Sequence, residues 1–488
     1  MFLFTGSIRR FWMAIAMSLA LALASPLSAL ANIALLQISS DPYTNPDSQH
    51  RTEVEPDTFA VGSTIVSTFQ VGRFFGGGAS NIGFATSTDG GQTWTQGFLP
   101  SSTVFATPAG VYARASDPVV AYDAKHGVWL ISYLGIPSPF PPVDVLVSRS
   151  TDGLNWSAPI VVNNSGDFND KNWTACDNTA SSPFYGNCYT EFDDNTQGDL
   201  ILMSTSSDGG LTWGPALSTA NNAHGIGGQP LVQPNGNVVV PINGFAGVNF
   251  LMMSFTSSDG GASWSNTRVI ARIGFHHAAG GIRDSIPLPS AEMDSSGKVY
   301  AIWQDCRFEL NCTASDLVLS TSMDGKKWSK ITRIPLDPRG SGVDHFIPGL
   351  AVDRSTSGSS ARLVVTYYYY PNTNCTTATC QLNVGYSTSA DGGASWTANT
   401  QITGPMMLTW FPNTTQGFMP GDYISTSFSG APAFPAIAVA NAPSGSVFDE
   451  ATYTVQGGLT VSGSPTAATD QVNAGSNDRL TSSSITDQ

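Results

Sequence analysis

Apolar segments of five to nine residues recur along this chain, several alternating apolar with polar positions, and each ends at a turn rich in Asp, Asn or Gly. One set occupies residues 81–86, 143–149, 200–205, 250–256, 317–321 and 382–388. A second set stands upstream of these, at 128–134, 237–242, 298–303 and 361–369. A third, further upstream, opens on proline at 118–123, 230–235, 289–294 and 348–353, with 172–177 in the same register without the proline. Period-two patterning, with almost no helical periodicity, predicts strands joined by hairpins and an all-β fold.

One phrase follows each strand of the first set: a Ser, an Asp two residues on, then Gly, then Trp. Its six copies occupy 87–94, 150–156, 206–213, 257–264, 322–328 and 389–396, with Asp89, Asp152, Asp208, Asp259, Asp324 and Asp391 at their centres. The Asp can accept backbone N–H bonds from the next residues, the Gly allows positive φ, and the Trp buries a large ring against the turn. These six Asp residues therefore read as structural. Their spacings of 63, 56, 51, 65 and 67 residues suit a four-stranded unit with its loops, repeated radially as a β-propeller.

Counting strand openings adds a unit. Glu55-Pro56 opens one before the first box, and Gly421-Asp422-Tyr423 opens one after the last, giving seven blades, with six as the alternative. The last would hold strands at 423–428, 434–440 and 450–455, and residues 33–38 are expected to supply its missing strand and close the ring.

Ser-x-Asp-x-Gly-x-Thr-Trp repeats over residues 53–455 resemble the Asp boxes, or BNR repeats, of the sialidase superfamily. That resemblance implies boxes on the face away from the ligand site. It also implies a catalytic set of three arginines that clamp a substrate carboxylate, a Tyr–Glu nucleophile couple and an Asp acid/base. The family's first arginine belongs to an Arg-Ile-Pro-like motif opening the first blade, where this chain has Val54-Glu55-Pro56. Its Arg333-Ile334-Pro335 follows the fifth box and is expected to end an outer strand.

Residues 1–31 read as a secretory signal peptide: Arg9 and Arg10, an apolar run over 11–23, and a small-residue end. The propeller is assigned to 32–457 and a disordered Ser/Thr/Gly-rich tail to 458–488. Six cysteines in three close pairs, Cys176 with Cys188, Cys306 with Cys312 and Cys375 with Cys380, are expected as disulfides of a secreted protein. The formal charge is −15, and without Arg9 and Arg10 there remain 19 basic against 36 acidic residues. Such a surface repels nucleic acid and anionic membrane. No metal or cofactor is expected, no membrane insertion, and a monomer.

The face opposite the boxes is built by the loops leading into each blade and by the turns between second and third strands. The former hold Glu53, Glu55, Arg114, Asp117, Asp170, Lys171, His276, His277, Arg283, Asp284, Asp344, His345, Asp422, Tyr423 and Trp410; the latter hold Arg73, Glu191, Asp193, Asp305, Arg307 and Glu309. Converging carboxylates and arginines suit a polar glycan. Glu55, Asp117, Asp305, Asp344, Asp422 and Tyr423 are the catalytic candidates, and Arg114, Arg283, Arg307, His345 and Trp410 the substrate-binding ones. Two functions stay open: a secreted sialidase-like glycoside hydrolase, exo-acting on an anionic sugar of an extracellular glycan, or a non-catalytic propeller binding glycan or protein through that face.

Overall fold

The computed structural model describes residues 33–284 and 286–462, with 466–467 and 471–472 of the tail. The expected signal peptide lies outside the described residues. Among those described, strands of the expected kind form four-stranded antiparallel meanders. The first runs Ser48–Val61, Thr64–Phe74, Ala79–Ser87, Thr95–Phe98, and the second Arg114–Asp123, Val128–Ile136, Asp144–Ser150, Ile160–Asn163. Further meanders open on Asn169–Cys176, Leu231–Val232, Ser290–Met293, Asp344–Val352 and Ser425–Phe428. These inner strands touch one another in chain order, and Ser425–Phe428 returns to contact Ser48–Val61. A closed ring of inner strands with three strands radiating outward from each is a propeller-type all-β fold.

The ring is closed by both chain ends. Leu35–Gln37 pairs antiparallel with Glu450–Val455, with Leu35 opposite Val455, as the missing strand required. The closure buries Ile38 and Val455 and completes the last meander with a fourth strand. Apolar cores lie between neighbouring meanders: Tyr300, Ile302 and Leu317 of the fifth pack on Leu363, Val365 and Trp396 of the sixth.

Each box is a stapled turn. Ser87 Oγ accepts from Gly91 N (2.8 Å) and donates to Asp89 (2.8 Å), which accepts from the amides of Gln92 (3.0 Å) and Thr93 (2.9 Å). The shorter turn at Asp152 keeps two such amide bonds, from Leu154 and Asn155 (both 2.8 Å). Gly91 has φ of 83°, and a Cβ there would lie 2.2 Å from the Phe434 ring, so the box also packs against the preceding meander. Gly90 N bonds Ser63 O (2.9 Å), which puts the box at the same end as the turn between first and second strands. The loops leading into each meander lie at the other end.

All three expected disulfides are formed, Cys176–Cys188, Cys306–Cys312 and Cys375–Cys380. In the tail, Thr466–Ala467 pairs with Ser395–Trp396, and Gln471–Val472 pairs with Ile331–Arg333, so these two segments add strand pairing where disorder was expected. Among the described residues no helix is long and apolar enough to cross a membrane.

Candidate functional site

The inner strands share an irregularity near their outset. Glu55, Asp117, Lys171 and Ile347 all have φ between 49° and 54°, and each stands where the pairing register with the second strand shifts. A bulge of this kind re-aims a side chain, and left-handed backbone at non-glycine residues concentrates at functional sites. Glu55, Asp117 and Lys171 come from three successive meanders and meet. Lys171 Nζ lies 3.6 Å from Glu55 and 3.2 Å from Asp117, and 2.5 Å from Asp422, which the last meander supplies. Arg283 Nη2 takes the same Asp422 oxygen at 2.5 Å.

Two adjoining cavities share Asp170, Lys171, Arg283 and Gln416 in their walls. Asp422, Tyr423 and Asp284 line the first; Glu55, Asp117, Arg73 and Arg114 line the second. Arg73 is buried, bonded to Gln70 Oε1 and Gly78 O (both 3.2 Å), and its Nε reaches the Met419 sulfur that Arg283 also approaches. Arg114 is partly exposed; its guanidinium donates to the carbonyls of Gly76 and Gly77 and lies over the Phe74 and Phe140 rings.

Burial and neighbours push these groups apart. Burial, reinforced by Asp117, raises the Glu55 carboxyl to about 8, and the same two causes raise Asp170 to about 6. Burial opposes ionisation of Asp422, but Arg283 and Lys171 outweigh it and hold the carboxyl well below its usual range. Burial likewise works against the Lys171 ammonium, yet Asp117, Asp422 and Glu55 keep it charged well above its usual range. At neutral pH a protonated carboxylic acid facing the second cavity and an ionised carboxylate facing the first thus stand around a single ammonium that lines both.

The remaining candidates are placed elsewhere or otherwise engaged. Tyr423 lines the cavity, but its hydroxyl donates to Pro118 O (3.1 Å) and burial pushes its pKa well above the phenol range, which is a structural arrangement and not that of a nucleophile. Asp305 and Arg307 pair with each other (2.8 Å), Asp305 also accepting from Trp303 Nε1 (3.0 Å) and Arg307 reaching Arg272 O of the neighbouring outer strand. They shape the loop stapled by Cys306–Cys312, and neither lines the cavity. Asp344 turns to Ser315 N (2.8 Å) and His276 Nε2 (3.4 Å). His345, the next residue on a strand, points to the opposite side and is buried against Tyr367 and Tyr369. Trp410 is half-buried on the turn Leu408–Trp410 and lines neither cavity.

Lys171 is the central residue that sequence reasoning left without a role. Its signal was available: Asn172 stands five residues before Asp177 as Pro118 stands five before Asp123, so Lys171 takes the place of Asp117, with a cation where the other carries an acid.

Residues 140–349 match the model of the BNR repeat-like domain. A sialidase of Bacteroides fragilis is 29% identical over 163 residues, which span 27% of this chain and 28% of that relative. Among solved structures, an ulvan lyase of a new polysaccharide lyase family, bound to -[GlcA(1-4)Rha3S]-, aligns over 88% of this chain and 97% of its own at 12% identity and a TM-score of 0.50. A leech intramolecular trans-sialidase in complex with 2,7-anhydro-Neu5Ac covers 68% of this chain and 67% of its own at 13% identity and a TM-score of 0.45. With its stapled box turns and its closed ring of inner strands, the chain is a propeller-type all-β fold whose residues 140–349 match a BNR repeat-like domain.

Proposed function

We propose that the protein is a secreted, sialidase-like glycoside hydrolase that takes an anionic sugar into the axial cavity. The observation that carries this reading is the gathering of Arg73, Arg114, Lys171 and Arg283 at one cavity of a chain whose formal charge is −15. A cationic cleft in an acidic protein draws anions to itself and repels them elsewhere. Arg114 is accessible and Arg283 lines both cavities, so both can donate to a sugar carboxylate or sulfate. The expected signal peptide and the three disulfides support export to an oxidising compartment.

Glu55 is the proton donor in this reading. It keeps its proton to about pH 8 and can pass it to the glycosidic oxygen as the bond to the anomeric carbon breaks. Asp422, held ionised beside it, stabilises the positive charge that develops on the sugar ring. A second reading, a non-catalytic glycan binder, is favoured by the fact that Asp117 and Asp422 are already ion-paired.

The test is a product screen of the purified protein with sialosides and with uronate- and sulfate-bearing oligosaccharides, read by mass spectrometry. Two saturated products whose masses sum to that of the substrate plus one water, abolished in Glu55→Gln and in Arg283→Ala but retained in Arg307→Ala, are the expected result. Binding without turnover would establish the second reading, and an unsaturated product would replace hydrolysis by elimination.

A further inference from the structure

We infer that Asp316, Asp337 and His345 form a divalent-cation site, for an ion of the zinc class, that ties the fifth meander to the sixth. One carboxylate oxygen from each Asp and one ring nitrogen of His345 lie within 4.8 Å of one another. His345 is fully buried, yet neither Nδ1 nor Nε2 has a hydrogen-bond partner, and Asp316 Oδ2 is buried without one as well. A buried imidazole with two idle nitrogens is costly unless something binds it, and here it stands beside two carboxylates.

The surroundings complete the site. Arg333 Nε donates to Asp316 Oδ1 (2.7 Å), its Nη2 to Asp337 Oδ1 (2.8 Å) and its Nη1 to Asp337 O (2.9 Å). The guanidinium thus holds one oxygen of each carboxylate, as outer-shell partners of metal ligands do, and Asp316 Oδ2 is left without a hydrogen bond. With neutral His345, the two carboxylates and Arg333 sum to one negative charge, which a divalent cation overcompensates only modestly. Tyr367 and Tyr369 wall the ring at 5.4 and 6.1 Å. This gives Arg333-Ile334-Pro335 a function unrelated to a substrate clamp.

The choice of ion follows from the ligands. One imidazole and two carboxylates suit zinc or manganese, whereas calcium takes six to eight oxygens. Three protein ligands leave a position for water. Asp316 opens the third strand of the fifth meander, Arg333 ends its fourth, and His345 is the second residue of the sixth inner strand. The ion would therefore cross-link two meanders at the end opposite the boxes.

The full-length protein, dialysed against chelator, is titrated with zinc, manganese and calcium by calorimetry, and with cobalt(II) by visible absorption. One zinc or manganese ion per chain, a higher melting temperature with the ion, and cobalt d–d bands are expected. His345→Gln should lose the bands and weaken binding at least tenfold. Should that variant fail to fold, Asp337→Asn, at the site's more exposed ligand, gives the same reading. No uptake, uptake of calcium alone, or cobalt bands unchanged in the folded variants would overturn the site.

Discussion

The box turns and the axial cavity use the same functional group, a carboxyl, under opposite physics. At the boxes, Asp89 lies at the surface, and the Thr93 hydroxyl and amide, with the Ser87 hydroxyl, pull its carboxyl down to about 2. Near the axis, Glu55 lies within the ring and is pushed up to about 8. A carboxylate in water that accepts several N–H and O–H bonds is content to be charged; one stripped of water is charged only where a cation pays for it. The boxes therefore build the scaffold, and the axis holds carboxyls whose protonation can change near neutrality, which is what acid–base chemistry requires.

Replacing the shared cation should separate the two regions most sharply. Lys171→Met leaves Asp117 and Asp422 short of a partner, and a loss of about 3 kcal/mol in unfolding free energy is expected, measured by urea denaturation. Equal stability in the variant would mean that the cluster is not one electrostatic unit. Next in size, Arg283→Ala should weaken binding of an anionic oligosaccharide more than tenfold while Arg307→Ala changes it less than twofold, read by calorimetry. The reverse order would move the site away from the axis.

The pH dependence of stability should also divide the regions. Glu53 and Glu55, raised to about 8, and Asp57, raised to about 7, bind protons more tightly folded than unfolded. Their contribution is fully present below about pH 4 and is lost as pH rises through 7 to 8. Asp89 contributes the opposite way, present above about pH 4 and lost as pH falls through about 2. The melting temperature should accordingly decline from pH 5 to pH 9, and a rise over that interval would contradict the protonated state of the axial acids. The smallest effect is expected at a single box: Asp208→Ala removes the acceptor for the Leu211 and Thr212 amides (both 3.0 Å) and should cost about 1 kcal/mol with sugar binding unchanged.

Much of the scaffold was legible because its signals are local. A hairpin turn needs its Asp, Gly and Trp within eight residues, and a strand shows its alternation over five or six. The pairing of Leu35–Gln37 with Glu450–Val455 was legible too, since a ring short of one strand must find it at the other end of the chain. The site was legible only as a set of candidates. Asp305, Arg307 and Asp422 look alike as charged residues at loop positions, but a disulfide loop pairs the first two with each other, while Asp422 reaches a lysine 251 residues away.

The sequence by itself determined the repeat, the all-β class, the turn chemistry and the disulfide pairs, because each depends on residues close together in the chain. Only the tertiary structure decided which charges meet at the axis. Lys171 becomes the hub, Tyr423 a hydrogen-bond donor to Pro118, and His345 a buried ring beside Asp316, because ring closure brings distant strands together and burial then sets how each group holds its proton.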